Sequence, residues 1–296
     1  MKQTITYKTV GDVEIKADIY RPADDLVRPV VVWIHGGALI LGSRNGVQPR
    51  MRELCQQEGF ALISLDYRLA PEVKLPAIIE DIQDAFRWIR GDGAKQFHLD
   101  PQKIVVAGGS AGGYLTMMTG HCISPRPLAL VAYFGYGDVD GEWYREPSAF
   151  YRQSVSLISK QDAESGVGTK VISGVDAPGI DPRARNRYYI YLRQNGLWTR
   201  EVTGFDPVSQ KDKLDYYCPV RNISPDYPPI LMVHGTQDTD VPYQKSVDMA
   251  AELQKKGVKH ELVTVKDAGH GLSHGNPEDV AQAHSRAVAF IREYLK

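Results

Sequence analysis

The sequence is poor in cysteine and has no excess of charge of one sign. The three cysteines are Cys55, Cys122 and Cys218. They are odd in number and far apart, which argues against a disulfide framework and against a CxxC metal site, so we interpret them as reduced thiols of an intracellular protein. Basic and acidic residues are balanced at 35 and 36, without a long run of either. We therefore expect neither a nucleic acid nor an anionic membrane surface as a partner.

Long apolar runs are also absent. No stretch approaches the ~20 apolar residues of a membrane-spanning helix, so we expect no membrane partner. The first ten residues, MKQTITYKTV, alternate polar and apolar side chains and lack the apolar segment of a secretory signal. From these two observations we expect a cytoplasmic protein.

The sequence does contain a regular alternation of strand and helix patterns. Two alternating segments, 4–10 and 13–20, flank Gly11-Asp12 and predict an antiparallel hairpin. Helical patterns, such as the one at 76–90, separate the apolar runs that follow, which predicts a mostly parallel sheet flanked by helices. The runs themselves predict strands buried on both faces: 30–34, 61–65, 104–106, 129–134, 230–233 and 261–265.

One region interrupts this alternation. Residues 138–217 lie between two predicted core strands and far exceed an ordinary connection in length. We expect them to form a lid or cap subdomain inserted into a core made of 1–137 and 218–296. We interpret most of the aromatic residues of the insertion as its own core, and the rest as a lining for an acyl or sugar pocket. They are Trp143, Tyr144, Phe150, Tyr151, Tyr188, Tyr189, Tyr191 and Trp198.

The strongest chemical signal is GGSAGG at residues 108–113. It follows the predicted strand 104–106 and opens a helical segment, which is the context that a GxSxG nucleophile motif requires. Glycines are needed at 108 and 112 because side chains there would clash with the adjacent strand and helix. The turn would expose the hydroxyl of Ser110 as a nucleophile.

A serine hydroxyl needs a base, and His270 is the best placed of the eight histidines. It follows the last predicted strand in a loop where glycines on both sides give the backbone freedom to orient it. Asp238 directly follows the strand 230–233, gives the chain order Ser, Asp, His, and would orient and stabilise the imidazole. Asp240 is the rival carboxylate, but we expect it to cap a helix that begins near Pro242.

A glycine pair occurs earlier in the chain. The segment HGGA, residues 35–38, follows the strand 30–34 and matches the HGGG-type loop that donates backbone N–H groups to an oxyanion. We assign the oxyanion hole to the N–H groups of Gly36, Gly37 and Ala111. A simple glycine turn is the alternative that these four residues alone leave open.

The remaining histidines give weaker signals. His270 and His274 have the four-residue spacing of a helical metal pair, but Gly271 lies between them and no glutamate completes HExxH. We therefore expect no metal and no other cofactor. We interpret His234 as a packing or hydrogen-bonding residue at a strand end.

Together these motifs resemble those of the α/β-hydrolase superfamily, in particular its hormone-sensitive-lipase-like and feruloyl-esterase-like carboxylesterases. The resemblance covers nearly all of the chain outside the insertion. It implies an α/β-hydrolase fold and ester hydrolysis through an acyl-serine intermediate without a cofactor. In that chemistry Ser110 attacks, His270 moves the proton and Asp238 orients the histidine.

The segment DYRLAPE at residues 66–72 is also similar to a signature of that group. We interpret its charged residues Asp66, Arg68 and Glu72 as structural. The chain departs from the family pattern at Ala38, where the third glycine is missing, and the N-terminal cap helices of hormone-sensitive-lipase relatives are not predicted. Preferences for particular acyl or alcohol groups therefore do not transfer.

The sequence thus predicts a serine carboxylesterase that acts on small or medium esters, with a small-molecule ester as its partner. Hydrolysis of amides, lactones or short peptides by the same triad is the alternative within this chemistry. A non-catalytic small-molecule receptor on the hydrolase fold is the alternative from another class. The oligomeric state stays open, a homo-oligomer included.

Overall fold

A computed structural model describes residues 2–296 and shows one eight-stranded sheet, in the order β1-β2-β4-β3-β5-β6-β7-β8. Strands β1 and β2 form an antiparallel hairpin and β2 joins β4 in antiparallel fashion, whereas the pairs among β3 to β8 are parallel. The predicted mostly parallel sheet is confirmed. The strands are β1 (Lys2–Val10), β2 (Val13–Tyr20), β3 (Arg28–Ile34), β4 (Ala61–Leu65), β5 (Leu99–Gly109), β6 (Ala129–Tyr133), β7 (Ile230–Gly235) and β8 (His260–Val265).

Helices cover both faces of the sheet, and one buried apolar cluster lies on each side of it. The helices are α1 (Pro49–Glu58), α2 (Leu75–Arg90), α3 (Asp92–Phe97), α4 (Ala111–Cys122), α5 (Glu142–Arg145), α6 (Ala149–Ser154), α7 (Lys160–Glu164), α8 (Pro182–Asn195), α9 (Trp198–Thr203), α10 (Lys211–Leu214), α11 (Gln244–Lys255) and α12 (Pro277–Leu295). Short 3₁₀ turns occur at Arg44–Gly46, Asp215–Tyr217, Pro219–Arg221 and His270–Leu272. Within residues 2–296, no helix has both the length and the apolar character needed to cross a membrane.

Strand burial follows the predicted pattern except at the sheet edge. All five residues of β4 and all five of β6 are buried, as expected of central strands with helices on both faces. Strand β8 was expected to be equally buried, and that prediction is wrong. It is the edge strand beyond β7, and most of its residues are only half-buried because no further strand covers its outer side.

The segment between β6 and β7 contains the six helices α5 to α10. Its buried residues join the same apolar cluster as the sheet: Tyr144, Tyr189 and Trp198 pack in one cluster with Ile34 and Tyr67. Most of its aromatic residues therefore serve packing. The division into a core and an inserted cap at 138–217 stays a prediction.

The DYRLAPE segment after β4 forms buried ion pairs with other parts of the chain. Arg68 donates hydrogen bonds to both carboxylate oxygens of Asp81 of α2, and Arg185 of α8 pairs with Glu72 at 2.8 Å. The side chains of Arg185 and Glu72 are both buried, with exposed fractions of 1% and 2%. The predicted structural role of Arg68 and Glu72 is confirmed, and the Arg185–Glu72 pair attaches α8 to the segment after β4.

Candidate active site

The loops that follow β3, β5, β7 and β8 meet at the carboxyl ends of the strands, because parallel strands end on the same side of the sheet. Ser110 lies between β5 and α4 with φ 56° and ψ −123°, a strained conformation typical of a nucleophile turn. A methyl group at Gly112 would overlap the carbonyl oxygen of Ile34, and one at Gly108 would overlap that of Gly112. The glycines therefore let α4 begin directly against β3.

The structure brings Ser110, His270 and Asp238 into one hydrogen-bonded chain. Nδ1 of His270 lies 2.7 Å from Oδ2 of Asp238, and Nε2 lies 3.1 Å from Oγ of Ser110. An ionised carboxylate only accepts hydrogen bonds, so in the neutral ring Nδ1 carries the hydrogen and Nε2 has a free electron pair. That electron pair faces the hydroxyl of Ser110.

Other groups besides His270 also hold the Asp238 carboxylate. Its Oδ1 accepts the backbone N–H groups of Asp240 and Val241, both at 2.9 Å, and Nε2 of His234 lies 3.2 Å from Oδ2. Burial alone would raise the pKa of Asp238, but hydrogen bonds from His234 and His270 outweigh it and hold the pKa below its ordinary value. Asp238 thus stays ionised beside His270.

His234 has a more specific place than the sequence indicated. Its Nε2 donates to the carbonyl of Val241 at 3.0 Å, and its Nδ1 lies 2.7 Å from Oγ of Ser246. A carbonyl only accepts, so Nε2 carries a hydrogen that also points to Asp238. The predicted hydrogen bonding at a strand end is confirmed, but the contact with Asp238 was missed, and only the i, i+4 spacing of the two residues hinted at it.

The environment of His270 favours its protonated form. Burial lowers its pKa, but the hydrogen bond to Asp238 and the charge of Asp240 outweigh burial and raise the pKa above its ordinary value. The ring of Phe134 meets the imidazole edge-on at 5.1 Å between centroids. The histidine is thus packed against an aromatic ring and has a carboxylate near each of its two ring nitrogens.

The prediction that Asp240 caps a helix is wrong. Helix α11 begins at Gln244, later than expected, and no side chain caps it. Asp240 instead accepts hydrogen bonds from side chains of the insertion, namely Tyr151, Tyr189 and Arg193. Its other oxygen lies 3.6 Å from Nε2 of His270. Asp240 is therefore part of the candidate site.

The glycine loop after β3 packs against the nucleophile turn. A Cβ at Gly36 would lie only 2.7 Å from the carbonyl oxygen of Gly109 and 3.2 Å from Cβ of Ser110, so only glycine allows this approach. Gly37 has φ +108°, which an ordinary side chain would strain. Ala111 is the first residue of α4, so its N–H has no partner within the helix. This arrangement is compatible with the predicted oxyanion hole, whose function stays a prediction.

Ala38, the residue that replaces the third glycine, has φ 55°, in the left-handed region. Two contacts hold this loop: the indole N–H of Trp198 donates to the Ala38 carbonyl at 3.1 Å, and the hydroxyl of Tyr67 donates to the His35 carbonyl at 2.9 Å. The imidazole of His35 stacks on Tyr67 at 4.2 Å, and burial lowers its pKa to about 4. His35 is therefore a neutral, structural part of the loop.

His270 and His274 do not lie on one α-helix, which is what a metal-binding pair with four-residue spacing requires. His270 opens a 3₁₀ turn, and His274 follows that turn with φ 60°. In the part of the chain from residue 2 onwards, no three His, Cys, Asp or Glu side chains are grouped as metal ligands.

Comparisons with known proteins agree with the fold. A family model described as the α/β hydrolase fold matches residues 31–274. Among solved structures, a Staphylococcus aureus protein of unknown function has a TM-score of 0.78 at 23% identity over 100% of both chains. Esterase 2 of Thermogutta terrifontis, with propionate bound, has a TM-score of 0.67 at 24% identity over 99% of this chain and 94% of that one.

Among curated proteins, the chain is similar to parts of fungal non-reducing polyketide synthases. It is 27% identical to atr1 of Stereocaulon alpinum over 90% of this chain and 12% of that protein. It is 28% identical to adrD of Penicillium roqueforti over 100% of this chain and 14% of that protein. The chain thus spans only about one eighth of the length of these relatives.

Proposed function

Because the chain belongs to the α/β-hydrolase fold family, as its motifs predicted, we propose that it is a serine carboxylesterase. It would hydrolyse small or medium carboxylic esters through an acyl-serine intermediate. The observation that carries this proposal is the chain of hydrogen bonds from Asp238 through His270 to Ser110, at 2.7 and 3.1 Å. A nucleophile, its base and the group that orients the base are thereby within direct reach of one another.

Acylation follows from this arrangement. Oγ of Ser110 attacks the ester carbonyl carbon while Nε2 of His270 takes the hydroxyl proton. The imidazolium formed is stabilised by Asp238, whose lowered pKa keeps it ionised. The bond to the alcohol oxygen then breaks, and His270 returns its proton to the departing alcohol.

Deacylation repeats these steps with water as the nucleophile. His270 takes a proton from water, hydroxide adds to the acyl carbon, and the acid leaves as Ser110 regains its hydrogen. In both halves negative charge develops on the carbonyl oxygen. The N–H groups of Gly36, Gly37 and Ala111 would stabilise this charge, each by about 3 kcal/mol in the transition state.

We propose short acyl groups as the preferred substrates. Trp198 is fully buried, and its indole N–H donates a hydrogen bond to the Ala38 carbonyl. The large indole ring therefore occupies the space next to the glycine loop. Esterase 2 of Thermogutta terrifontis, a structural relative, has been crystallised with propionate and with butyrate. Both observations favour a small acyl site here.

The test is hydrolysis of a p-nitrophenyl ester series of increasing acyl length by the wild type, Ser110→Ala and Ser285→Ala. The last variant is the matched control, because Ser285 is exposed on α12, where its hydroxyl donates a hydrogen bond to the Ala281 carbonyl. We expect the Ser110 variant alone to lose activity, and short chains to react fastest. Full activity in a folded Ser110→Ala protein would refute the proposal.

The same experiment includes an amide, a lactone and a thioester of the same acyl group. A preference for oxygen esters supports the carboxylesterase proposal, whereas faster turnover of another substrate redirects it to that class. Tight binding of an ester without turnover, by folded wild-type protein, would indicate a receptor.

A further inference from the structure

Two carboxylates, and not one, approach the ring of His270. Asp238 binds Nδ1 at 2.7 Å, whereas Oδ2 of Asp240 lies 3.6 Å from Nε2, the atom that faces Ser110. The two aspartates belong to one turn, since the N–H of Asp240 donates to Asp238. Nε2 therefore faces both the nucleophile and a second negative charge.

The position of Asp240 is determined by the insertion. Its Oδ1 accepts hydrogen bonds from Tyr151 at 3.0 Å, from Tyr189, and from Arg193 at 2.7 Å. Tyr151 belongs to α6, and the other two belong to α8. Three donors on Oδ1 fix the carboxylate group and leave Oδ2 directed at the histidine.

Arg193 is a buried cation with an unusual environment. Its side chain is 3% exposed, and in residues 2–296 Asp240 is its only ion-pair partner. Four aromatic rings lie 5.0 to 5.8 Å from its guanidinium carbon, those of Trp143, Tyr144, Tyr151 and Tyr189. Such rings stabilise a cation without neutralising it. Arg193 therefore anchors Asp240 and also offsets part of its charge.

We propose that Asp240 is a positioning residue of the reaction, held by Tyr151, Tyr189 and Arg193 beside Nε2 of His270, where it stabilises the imidazolium formed when Ser110 attacks. This rests on the proposed esterase function. At 3.6 Å the carboxylate is too far for a good hydrogen bond, so it acts through its charge and leaves the Nε2 hydrogen free for the departing alcohol.

The charged and titratable groups around His270 predict different effects on its titration when Asp240 or Arg193 is removed. Asp238 faces Nδ1, with His234 behind it, and Asp240 faces Nε2, with Arg193, Tyr151 and Tyr189 behind it. Asp240 raises the pKa of His270 and Arg193 lowers it. Removing the first or the second charge should therefore move the titration of His270 in opposite directions.

The experiment measures the His270 titration by NMR, and the acid limb of kcat/KM, in the wild type and four variants. Asp240→Asn keeps an oxygen for the tyrosines and should move both midpoints down by about one pH unit. Arg193→Gln should move them up. The double variant leaves no unpaired buried charge and should fall between Asp240→Asn and the wild type. Asp226 is an exposed carboxylate that precedes β7, at the opposite end of the strands from His270. Asp226→Asn should leave both midpoints unchanged.

Unchanged midpoints in folded Asp240→Asn protein would overturn the proposal, as would shifts of both single variants in the same direction. The double variant provides the test if a single variant fails to fold. The NMR midpoint does not depend on turnover. Failure of the esterase proposal, seen as activity that survives Ser110→Ala, is therefore distinguishable from failure of the proposal for Asp240.

Discussion

At the scale of single residues, the site is set by where protons lie on two histidines. The carbonyl of Val241 places a hydrogen on Nε2 of His234, and Asp238 places one on Nδ1 of His270. Both hydrogens point at the Asp238 carboxylate, which explains why its pKa is lowered although the group is buried. The proposed role of Ser110 as nucleophile depends on the free electron pair that this leaves on Nε2 of the neutral His270 ring.

The first prediction concerns pH. His270 accepts the Ser110 proton only when it is neutral, and its pKa is raised above the ordinary 6.5. The rate constant kcat/KM should therefore fall as the pH decreases through a midpoint above 6.5, following one ionisation. A pH profile with a short p-nitrophenyl ester measures this, and activity that stays flat down to about pH 5 would contradict the role of His270.

The second prediction concerns the carboxylate. Asp238→Asn is close in shape but removes the charge that fixes the histidine tautomer, so kcat should drop by roughly 10³- to 10⁴-fold with a small change in KM. Steady-state kinetics beside Asp226→Asn, an exposed carboxylate, provides the comparison. Equal kcat in the two variants would show that another group orients His270.

At the scale of elements, the nucleophile turn depends on close backbone packing between β3, β5 and α4. The sequence shows the GGSAGG pattern, and the predicted need for small residues at 108 and 112 is confirmed by the overlaps that added methyl groups would cause. This feature is predictable because the turn, its strand and its helix are contiguous in sequence.

A third prediction follows for Gly112→Ala. Its methyl group would meet the Ile34 and His35 carbonyls, so β3 and α4 must separate, at a cost of about 1–3 kcal/mol or more in the free energy of unfolding. The melting temperature and the esterase activity should both decrease. Gly168→Ala is the matched control, because within residues 2–296 no atom outside its two chain neighbours lies within 4 Å of its added Cβ. Identical melting temperatures for the two variants would contradict this packing.

Helix α8, in the predicted insertion, is joined to the segment after β4 by a buried ion pair. Arg185 pairs with Glu72 in the interior, so Arg185→Met leaves a buried carboxylate without its partner and should cost about 3–5 kcal/mol of stability. Arg187 lies on the exposed side of the same helix, so Arg187→Met is the control and should leave the free energy of unfolding almost unchanged. Chemical denaturation measures both, and equal midpoints would argue against the attachment of α8 through this pair.

At the scale of the whole molecule, local patterns predicted the sheet and the hairpin. Ser110, Asp238 and His270 could be chosen from sequence as the predicted triad because each follows a predicted strand, and parallel strands end on one side of a sheet. The geometry then places all three within hydrogen-bonding distance.

What the sequence could not provide are contacts between distant segments. Asp240 stands before Val241-Pro242, a pattern that locally favours a helix cap. Its partners Tyr151, Tyr189 and Arg193 precede it by 89, 51 and 47 residues. No periodicity or spacing encodes which side chains of an insertion reach a loop that far away. The exposure of β8 was missed for a related reason, since position at the sheet edge follows from topology.

The central claim, that Ser110 is an activated nucleophile, is tested most directly by its reaction with paraoxon. Esterase 2 of Thermogutta terrifontis has been observed phosphorylated by this compound. Attack by Ser110 would form a bond from Oγ to phosphorus as p-nitrophenolate leaves, and mass spectrometry should find one diethylphosphoryl group per chain, on Ser110, and none in Ser110→Ala. Folded wild-type protein that stays unlabelled, or carries the label on another residue, would contradict the account.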